Sequence, residues 1–314
     1  MRILLANNHL MKTGGTENYI YALAVELKRR GHDVEYFTFK KGRISDLIER
    51  EGVGFMTGGR YDLILANHAT CIRKLHLHGF IIQTCHGIAP RLEQPHAFAD
   101  YHVSVTEEVK GHLLAKGYES EVILNGIDCR RFAPVKPISP TLTSVLSLCQ
   151  SDELNAFLKG CCEDAGLRFM SLNKHTDDVW EVEKRINEVD MVIGIGRSLY
   201  DAMACGRCVI SYDRRSYMNE DVGDGYLTAD NVEQSIARNC SGRSFRKRFN
   251  AEEFVAEMMR YNPADGEWAR AYALSSLNIE KVVDAYLAIC EGRHRVPLWR
   301  KLLRKIGVLR KRAA

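Results

Sequence analysis

The chain has 314 residues, of which 46% are hydrophobic and 27% are charged, and its net charge is +4 at pH 7. This composition excludes a low-complexity chain and leaves room for about two ordinary globular domains. The N-terminal run MRILLANNHL is too short for a signal peptide or for a spanning helix of about 20 residues, so we expect a cytoplasmic location.

Strand-like apolar runs alternate with helical patterns from the first residue onward. MRILLAN precedes a helix from about Thr16 that ends at Gly31, and the next strand covers Val34 to Phe39. Further strands are YDLILAN, GFIIQTC, YHVSVT and EVILN. Strands that are apolar on both faces predict a parallel sheet covered by helices.

Three prolines then interrupt the alternation, at Pro134, Pro137 and Pro140, and predict a linker over residues 129–141. A second alternating series follows, with a helix from Asp152 to Ala165 and another from Ser198. The sequence therefore predicts two doubly wound α/β domains, residues 1–128 and 142–265, which face each other across a cleft. A closing helix over 266–291 is expected to pack back across both domains.

Residues 292–314 form a basic tail. From Arg293 onward there are nine Lys and Arg and no acid, so the preceding part carries 4 − 9 = −5 charges. Apolar residues including Trp299 recur at helical spacing, which is typical of an amphipathic helix on an anionic membrane surface. An unstructured tail is the second interpretation. Nucleic acid is the least favoured partner, because the body shows no basic stripe with interleaved aromatic residues.

The ten cysteines are spread through predicted strands and helices. In a cytoplasmic chain they are more often buried hydrophobic residues than disulfides. The CxxC motif from Cys205 to Cys208 lacks a second pair and histidines at zinc-ligand spacing, so it predicts no metal or redox site.

Two adjacent glycines, Gly14 and Gly15, lie between the first strand and its helix. Two interpretations stay open. Glycines tolerate a positive φ, which any turn can use. A backbone without side chains also lets an anion such as a phosphate approach the N-terminus of a helix.

In the second domain, the stretch IGIGRSLYDAM carries a buried strand into Gly196, Arg197 and Ser198. Glycine permits close approach, Arg197 offers donors that match phosphate, and Ser198 is expected to be the N-cap or a hydroxyl donor. Asp201 is placed either to accept a hydrogen bond from a ribose or to form a salt bridge. The GxGxx[GA] pattern of dinucleotide sites is incomplete, because Leu199 stands where a small residue is needed.

His86 lies just past a strand end, where a histidine either contacts a bound sugar or is merely exposed. The segment from Asn125 to Asp128 is open to two interpretations in the same way: it belongs to the site, or it is only a tight turn. The chain has no DxD motif, the usual holder of a sugar diphosphate through Mg²⁺, so no metal is predicted.

Three blocks carry a resemblance to a known family: GGTENYIYALAVELKRRGHDV, VILNGIDCRRFAP, and DMVIGIGRSLYDAMACGRCVI followed by GDGYLTADNVEQSI. They resemble glycosyltransferases of the GT-B fold, specifically the retaining, metal-independent family 4 group that uses nucleotide sugars. The resemblance extends from Met1 to about Glu291. It implies two Rossmann-like domains facing across a cleft, with the acceptor on the first and the nucleotide sugar on the second.

The resemblance also implies roles for single residues. Gly14 and Gly15 would approach the donor diphosphate, His86 would contact the transferred sugar, and Asp201 would hold the ribose hydroxyls. The remaining donor-binding residues would be Gly196, Arg197 and Ser198. Positive charge is needed where diphosphate leaves without a metal, so Arg197 joins His86 as a candidate catalytic residue.

Two departures from the family pattern bear on this assignment. The family usually has a second acid eight residues before the ribose-binding one, but Ile193 stands at that position. The Arg and Lys that neutralise the diphosphate near the start of the second domain are not recognisable, and Lys159 is out of pattern. We expect Arg197 to supply the positive charge that this missing Arg and Lys would provide.

The implied function is transfer of a hexose-type sugar from a nucleotide sugar to a glycan or lipid-linked acceptor, in cell-surface polysaccharide or lipopolysaccharide synthesis. The nucleotide sugar is a co-substrate, and no cofactor is expected. Together with the tail, this predicts a peripheral protein on the inner face of the plasma membrane. The alternatives are a nucleotide-sugar epimerase, disfavoured by the shortage of acids near the site, and a non-catalytic partner that binds a nucleotide or a glycan. An NAD enzyme is least favoured, since no GxGxxG follows the first strand.

Overall fold

The computed structural model describes residues 1–173, 177, 180–214, 220–292, 299 and 302. The chain divides into two compact units: unit 1 holds Met1–Gly126 and the chain from Ile279, and unit 2 holds Ile127–Asn278. The predicted basic tail, residues 292–314, lies outside the described residues apart from positions 292, 299 and 302.

Unit 1 is a parallel sheet with helices between its strands. The strands are β1 (Arg2–Ala6), β2 (Asp33–Phe37), β3 (Gly54–Phe55), β4 (Tyr61–Ala66), β5 (Gly79–Cys85), β6 (Tyr101–Ser104) and β7 (Glu121–Val122). The helices are α1 (Gly15–Arg29), α2 (Arg43–Arg50), α3 (Ala69–Leu75) and α4 (Glu107–Ala115). The strand order is β3-β2-β1-β4-β5-β6-β7, so the winding reverses between β1 and β4.

Helix α1 follows the predicted pattern. Its apolar residues Ile20, Leu23 and Leu27 recur at helical spacing and are all buried. Gly31, whose φ is +79°, follows its C-terminus in the left-handed conformation that glycine adopts most readily. The buried face and the glycine stop together explain why the helix forms and ends here.

Unit 2 is a second α/β layer. Its strands are β8 (Ser144–Ser147), β9 (Arg168–Ser171), β10 (Met191–Gly194), β11 (Cys208–Arg214) and β12 (Asp221–Tyr226). Its helices are α5 (Asp152–Asp164), α6 (Val182–Ile186), α7 (Arg197–Ala204), α8 (Val232–Ile236), α9 (Ala251–Met258) and α10 (Pro263–Tyr272). The strand order is β12-β11-β10-β8-β9, with only the edge strand β12 antiparallel among the described strands. The winding reverses between β8 and β10.

The segment 129–141, predicted as a linker, is bonded to unit 2. Arg270 on α10 donates to the carbonyl of Cys129 at 3.0 Å. The Asp190 carboxylate accepts the backbone N–H of Ser139 at 3.0 Å. The division between the units therefore falls before this segment, because its backbone polar groups are satisfied by unit 2.

The segment 266–291, predicted as one closing helix, is divided in the structure. Helix α10 and a π-helical turn (Ala273–Leu277) belong to unit 2, whereas α11 (Ile279–Glu291) belongs to unit 1. The interruption is Asn278, whose extended backbone forms a parallel bridge with Ile127. One extended residue therefore separates helices that serve different units.

Helix α11 packs against α1 and completes the core of unit 1. The Tyr286 hydroxyl is buried and lies 2.8 Å from the Tyr19 hydroxyl and 2.7 Å from that of Thr84. These three groups satisfy one another, as buried hydroxyls must. Unit 1 is thus built from two parts of the chain that are far apart in sequence.

All ten cysteines are free and buried, which confirms their prediction as small core residues. Among the described helices, none combines the length and the apolar character that crossing a membrane requires.

Candidate functional site

Polar side chains gather where the central strands of unit 1 end. The strands β1, β4 and β5 are followed directly by Asn7, Asn67 and His86. Because the strands are parallel, these residues meet at one edge of the sheet, beside the point where the winding reverses. Doubly wound sheets bind ligands at such a point. Together with Glu17 and Glu93, they form what we call the unit 1 polar edge.

His86 lies where the sequence predicted it, and its ring is fixed by neighbouring amides. Nδ1 lies 3.0 Å from Asn125 Oδ1, and Nε2 lies 3.1 Å from Asn67 Oδ1. The Tyr19 ring packs on the imidazole in a T-shaped arrangement, with 5.1 Å between centroids. Asn125 therefore belongs to this network as well as to its turn. A sugar that contacts either ring nitrogen has to replace one of these bonds.

The structure separates the roles of the two glycines. Gly14 is the N-cap of α1 with an extended backbone, φ −167°, and neither Gly14 nor Gly15 has a positive φ, so the turn interpretation was wrong. A Cβ on Gly14 would lie 2.2 Å from Glu17 Oε2, whereas a Cβ on Gly15 would meet nothing within 4 Å. Gly14 thus makes room for a carboxylate of the protein itself, and Gly15 is the open position.

Glu17 occupies the helix N-terminus where the sequence predicted an anionic ligand. Its Oε1 accepts a hydrogen bond from Asn7 Nδ2 at 3.1 Å and lies 3.1 Å from His9 Nδ1. Asn67 Nδ2 in turn donates to Asn7 Oδ1 at 3.3 Å. A carboxylate near the positive end of the helix dipole is favourable. The predicted contact of Gly14 and Gly15 with a donor diphosphate therefore has to accommodate this negative charge.

His68 is a further histidine of this edge that the sequence analysis did not single out. It is buried directly after Asn67, and its Nδ1 accepts the backbone N–H of Asn8 at 2.9 Å. Burial, and then the nearby His9, lower its pKa to about 4, so the ring is neutral at physiological pH. The doublets Asn7-Asn8 and Asn67-His68, each at the end of a predicted strand, are the sequence signal that could have found this network.

Glu93 is a second missed residue. It ends a short 3₁₀ turn (Arg91–Glu93) in the loop after β5 and is partly buried. Burial, and then the nearby Glu17 carboxylate, raise its pKa to about 7. A carboxyl whose pKa lies near neutrality is typical of functional sites. The shortage of acids inferred from sequence is therefore wrong for unit 1.

In unit 2, the turn between β10 and α7 depends on Gly196. Its φ of +61° and ψ of −134° favour glycine, and it is the N-cap of α7. Ser198 is the second residue of the helix, so the prediction that its side chain caps the helix is wrong. The structure brings Gly196, Arg197 and Ser198 together at the start of α7, beside the end of a central strand.

Asp201 forms the salt bridge that the sequence analysis weighed against ribose binding. Its Oδ1 lies 3.8 Å from Arg197 Nε, and the two side chains are only 7% and 12% exposed. Burial raises the Asp201 pKa to about 6, against the opposing effects of Arg197 and Arg131. Binding of ribose hydroxyls by Asp201 stays a prediction, and it requires the pair to open towards the ligand.

Arg131, which the sequence analysis did not select, is a second cation near Asp201. Its guanidinium lies 4.2 Å above the Trp180 ring and donates to Glu183 Oε2 at 2.9 Å. Stacking and a carboxylate partner together hold an arginine in a defined place. It comes three residues after the NGID turn that ends at Asp128, which is the signal that could have drawn attention to it.

The two departures from the family pattern have structural explanations. Ile193 lies inside β10 and is fully buried, so an acid at this position would carry its charge into the core. Lys159 lies on the surface of α5, where its side chain is 61% exposed and pairs with Glu163. Neither residue belongs to the turn at the start of α7.

No protein-family model matches the chain, and no curated protein matches its sequence. Solved structures do match. The chain is similar to HepE from Anabaena, crystallised with UDP and glucose, with a TM-score of 0.58 and 15% identity over 93% of this chain and 99% of that one. It is also similar to a proposed UDP-N-acetylglucosamine 2-epimerase from Listeria monocytogenes, with a TM-score of 0.56 and 12% identity over 93% and 96%. The chain is similar as well to the glycotransferase of kitacinnamycin, with a TM-score of 0.56 and 11% identity over 90% of this chain and 97% of that one.

Identities this low establish the fold alone. The chain has the GT-B fold, with two Rossmann-like α/β domains, and this confirms the predicted fold class.

The two adjacent glycines provide a matched pair of substitutions. Gly14→Ala should lower the free energy of unfolding by about 1 to 3 kcal/mol, because its Cβ would displace the Glu17 carboxylate from Asn7. Gly15→Ala should cause no loss, since its Cβ enters open space and alanine favours a helix by up to about 1 kcal/mol. Urea unfolding of both variants measures the difference. Equal stability of the two would contradict the role assigned to Glu17.

Proposed function

We propose that this protein is a glycosyltransferase that moves a sugar from a nucleoside diphosphate to a hydroxyl of a glycan or of a lipid-linked acceptor. The observation that carries the proposal is the placement of polar residues at the ends of the central strands in both Rossmann-like units. A protein of the same fold, HepE, was crystallised with UDP and glucose, which supports a nucleotide-sugar donor.

Unit 2 supplies the chemistry that an anionic donor needs. The turn at Gly196 presents the N-terminus of α7, which favours a phosphate, and Arg197 adds donors that match its oxygens. When the bond between the anomeric carbon and the diphosphate breaks, the electron pair leaves with the diphosphate. Arg197 would stabilise the charge that develops there.

Three finer features of the proposal come from the sequence resemblance. Transfer would retain the anomeric configuration, it would need no metal ion, and it would serve cell-surface polysaccharide or lipopolysaccharide synthesis. In the retaining course the departing phosphate takes the proton of the acceptor, so no protein base is required. His86 would then contact the transferred sugar.

A specific observation supports a second candidate, a nucleotide-sugar epimerase. Such an enzyme needs carboxylates at its site, and Glu17 and Glu93 place two of them at the unit 1 polar edge. The similarity to the Listeria protein supports the same candidate. A non-catalytic binding partner remains the third.

A donor panel separates these candidates. Purified protein is incubated with UDP, GDP, ADP and dTDP sugars, and melting temperature and products are followed together. A ligand at 100 times its dissociation constant should add about 2.7 kcal/mol of stability. A transferase should release the nucleoside diphosphate slowly by hydrolysis, and an epimerase should return an isomeric nucleotide sugar. Binding without either product would support the non-catalytic partner, and the absence of binding would contradict the transferase and the epimerase.

Arg197→Ala tests the role of the guanidinium. We expect the turnover number of donor hydrolysis to fall by about 10²-fold, the range seen for lost charge stabilisation. Because the substitution leaves Asp201 buried without its partner, the double variant Arg197→Ala/Asp201→Asn should recover the fold, and its turnover should fall by the same factor relative to Asp201→Asn alone. Arg185→Ala, an exposed arginine of unit 2, is the control. An unchanged turnover in the double variant would refute the assignment.

We further propose that the basic tail holds the protein on an anionic membrane surface, on the inner face of the plasma membrane. Its nine bases support this, each worth about 1 kcal/mol near such a surface. Deletion of residues 293–314 should release the protein from liposomes that contain phosphatidylserine, measured by sedimentation. Retained binding would count against the tail as the anchor.

A further inference from the structure

The loop after β5 holds an acid in a defined position close to His86. Glu93 Oε2 lies so near the backbone of Gly87 that a Cβ on that glycine would approach it to 2.9 Å. Gly87 follows His86 directly, so the carboxyl group lies against the chain where β5 ends. The absence of a side chain at position 87 is what admits it.

The Glu93 carboxyl has no hydrogen-bond or ion-pair partner within the part of the chain that the structure describes. A partly buried carboxyl without a partner loses solvation and gains nothing in return, so it is costly to the fold. Such a cost is typical of residues kept for a ligand. The raised pKa of Glu93 described above has the same cause, because burial disfavours the ionised carboxylate.

The neighbouring residue, Gln94, forms hydrogen bonds that hold the loop in place. Its Nε2 donates to the carbonyls of Ile88 and Pro90 at 3.1 and 3.0 Å, and its own carbonyl accepts from Gln83 Nε2 at 2.8 Å. His112 on α4 reaches Gln94 Oε1 at 2.8 Å. The backbone that carries Glu93 is therefore fixed from β5 and from α4, which pre-organises the carboxyl group.

The charge at the unit 1 polar edge selects the kind of ligand. The Glu17 and Glu93 carboxyls disfavour a diphosphate there, because like charges repel. The described residues contain no group of three or more His, Cys, Asp and Glu that would hold a metal ion. The amides of Asn7 and Asn67, which are bonded to Glu17, to His86 and to each other, add no charge beside the two acids. This combination suits an uncharged ligand rich in hydroxyl groups.

We propose that Glu93 is an acceptor-binding residue, whose carboxylate receives hydrogen bonds from hydroxyl groups of a glycan at the unit 1 polar edge. This proposal rests on the glycosyltransferase function, and what it adds is the residue of unit 1 that holds the acceptor. Glu93 fixes where the acceptor lies, and it takes no proton in the reaction.

The proposal predicts a pH dependence with a definite sign. The ionised carboxylate accepts two hydroxyl groups better than the protonated form does. With a pKa of about 7, the ionised fraction rises roughly tenfold between pH 6 and pH 8, and glycan affinity should rise by up to that factor. The other titratable or charged groups around this edge are Glu17 on α1, His9, His68 and His86 after the strands, Arg91 on the same turn, His112 on α4, and Lys116 directly after α4. Removal of Glu93 alone separates its contribution from theirs.

The experiment uses the full chain with Glu labelled by ¹³C at the carboxyl carbon, and methyl glycosides of glucose, galactose, mannose and N-acetylglucosamine as probes. The Glu93 signal, identified by its loss in Glu93→Gln, should titrate near pH 7, and its midpoint should fall when a glycoside binds. Glu93→Gln should weaken glycoside binding at pH 8 by about tenfold and abolish the pH dependence. Glu119→Gln, an exposed acid of unit 1, is the control.

The outcomes divide clearly. Absence of glycoside binding, or binding with the same affinity and pH dependence in Glu93→Gln, would overturn the proposal. If Glu93→Gln does not fold, Gly87→Ala should displace the carboxyl group and weaken glycoside binding in the same direction, and unchanged binding there would overturn the proposal. Donor hydrolysis without acceptor should stay within about twofold of wild type in the control Glu119→Gln, since that exposed residue lies outside the polar edge. Glycoside binding without any donor binding or turnover would instead contradict the proposed function.

Discussion

Parallel strand pairing is the constraint on which the rest of this structure depends. When strands run the same way, the residue after each strand arrives at one common edge, however far apart the strands lie in sequence. In unit 1 this brings together Asn7, Asn67 and His86, which span about a quarter of the chain. In unit 2 the same constraint places Gly196 and Arg197 at the end of a central strand. Both candidate sites follow from sheet direction before any side chain is considered.

The two edges differ in electrical character. Unit 1 presents the carboxyl groups of Glu17 and Glu93, and its buried His68 stays neutral. Unit 2 presents the start of a helix together with Arg197. In the glycosyltransferase proposed above, the negatively charged donor suits unit 2 and the neutral acceptor suits unit 1. The tail adds a third, strongly basic region at the other end of the chain.

Much of the fold could be predicted because periodicity and glycine placement report local structure directly. The helix that follows Gly15, its end at Gly31 and the two series of alternating elements are examples. The break between the two helices at Asn278 was not predicted, because a single extended residue inside an apolar helical pattern does not change the local composition. The helix start at Arg197 rather than Ser198 was missed because serine is a common N-cap, and here the left-handed backbone of Gly196 fills that position instead.

The site was harder to predict for a physical reason. His86 and Arg197 lie shortly after strand ends, where a ligand is expected, and the family resemblance supplied their roles. Glu17 and Glu93 lie within a helix and in a loop turn, and their contacts in the structure, with Asn7 for Glu17 and with Gly87 for Glu93, reveal that they belong to the same edge. Contacts between a side chain and a glycine in a helix cap or a loop carry no apolar periodicity that would reveal them. The sequence therefore reveals the site residues that follow strands of the parallel sheet. It does not reveal those that reach the site only through the packing of a helix or a loop.

The discontinuity of unit 1 has a consequence for biosynthesis. Its core includes Tyr286, whose hydroxyl meets those of Tyr19 and Thr84, yet some 150 residues of unit 2 emerge from the ribosome first. Until α11 is translated, the face of α1 that it covers is bare. The N-terminal segment Met1–Gly126 therefore cannot complete its core until the last helix is synthesised. Unit 2 is contiguous and can fold as soon as it is made.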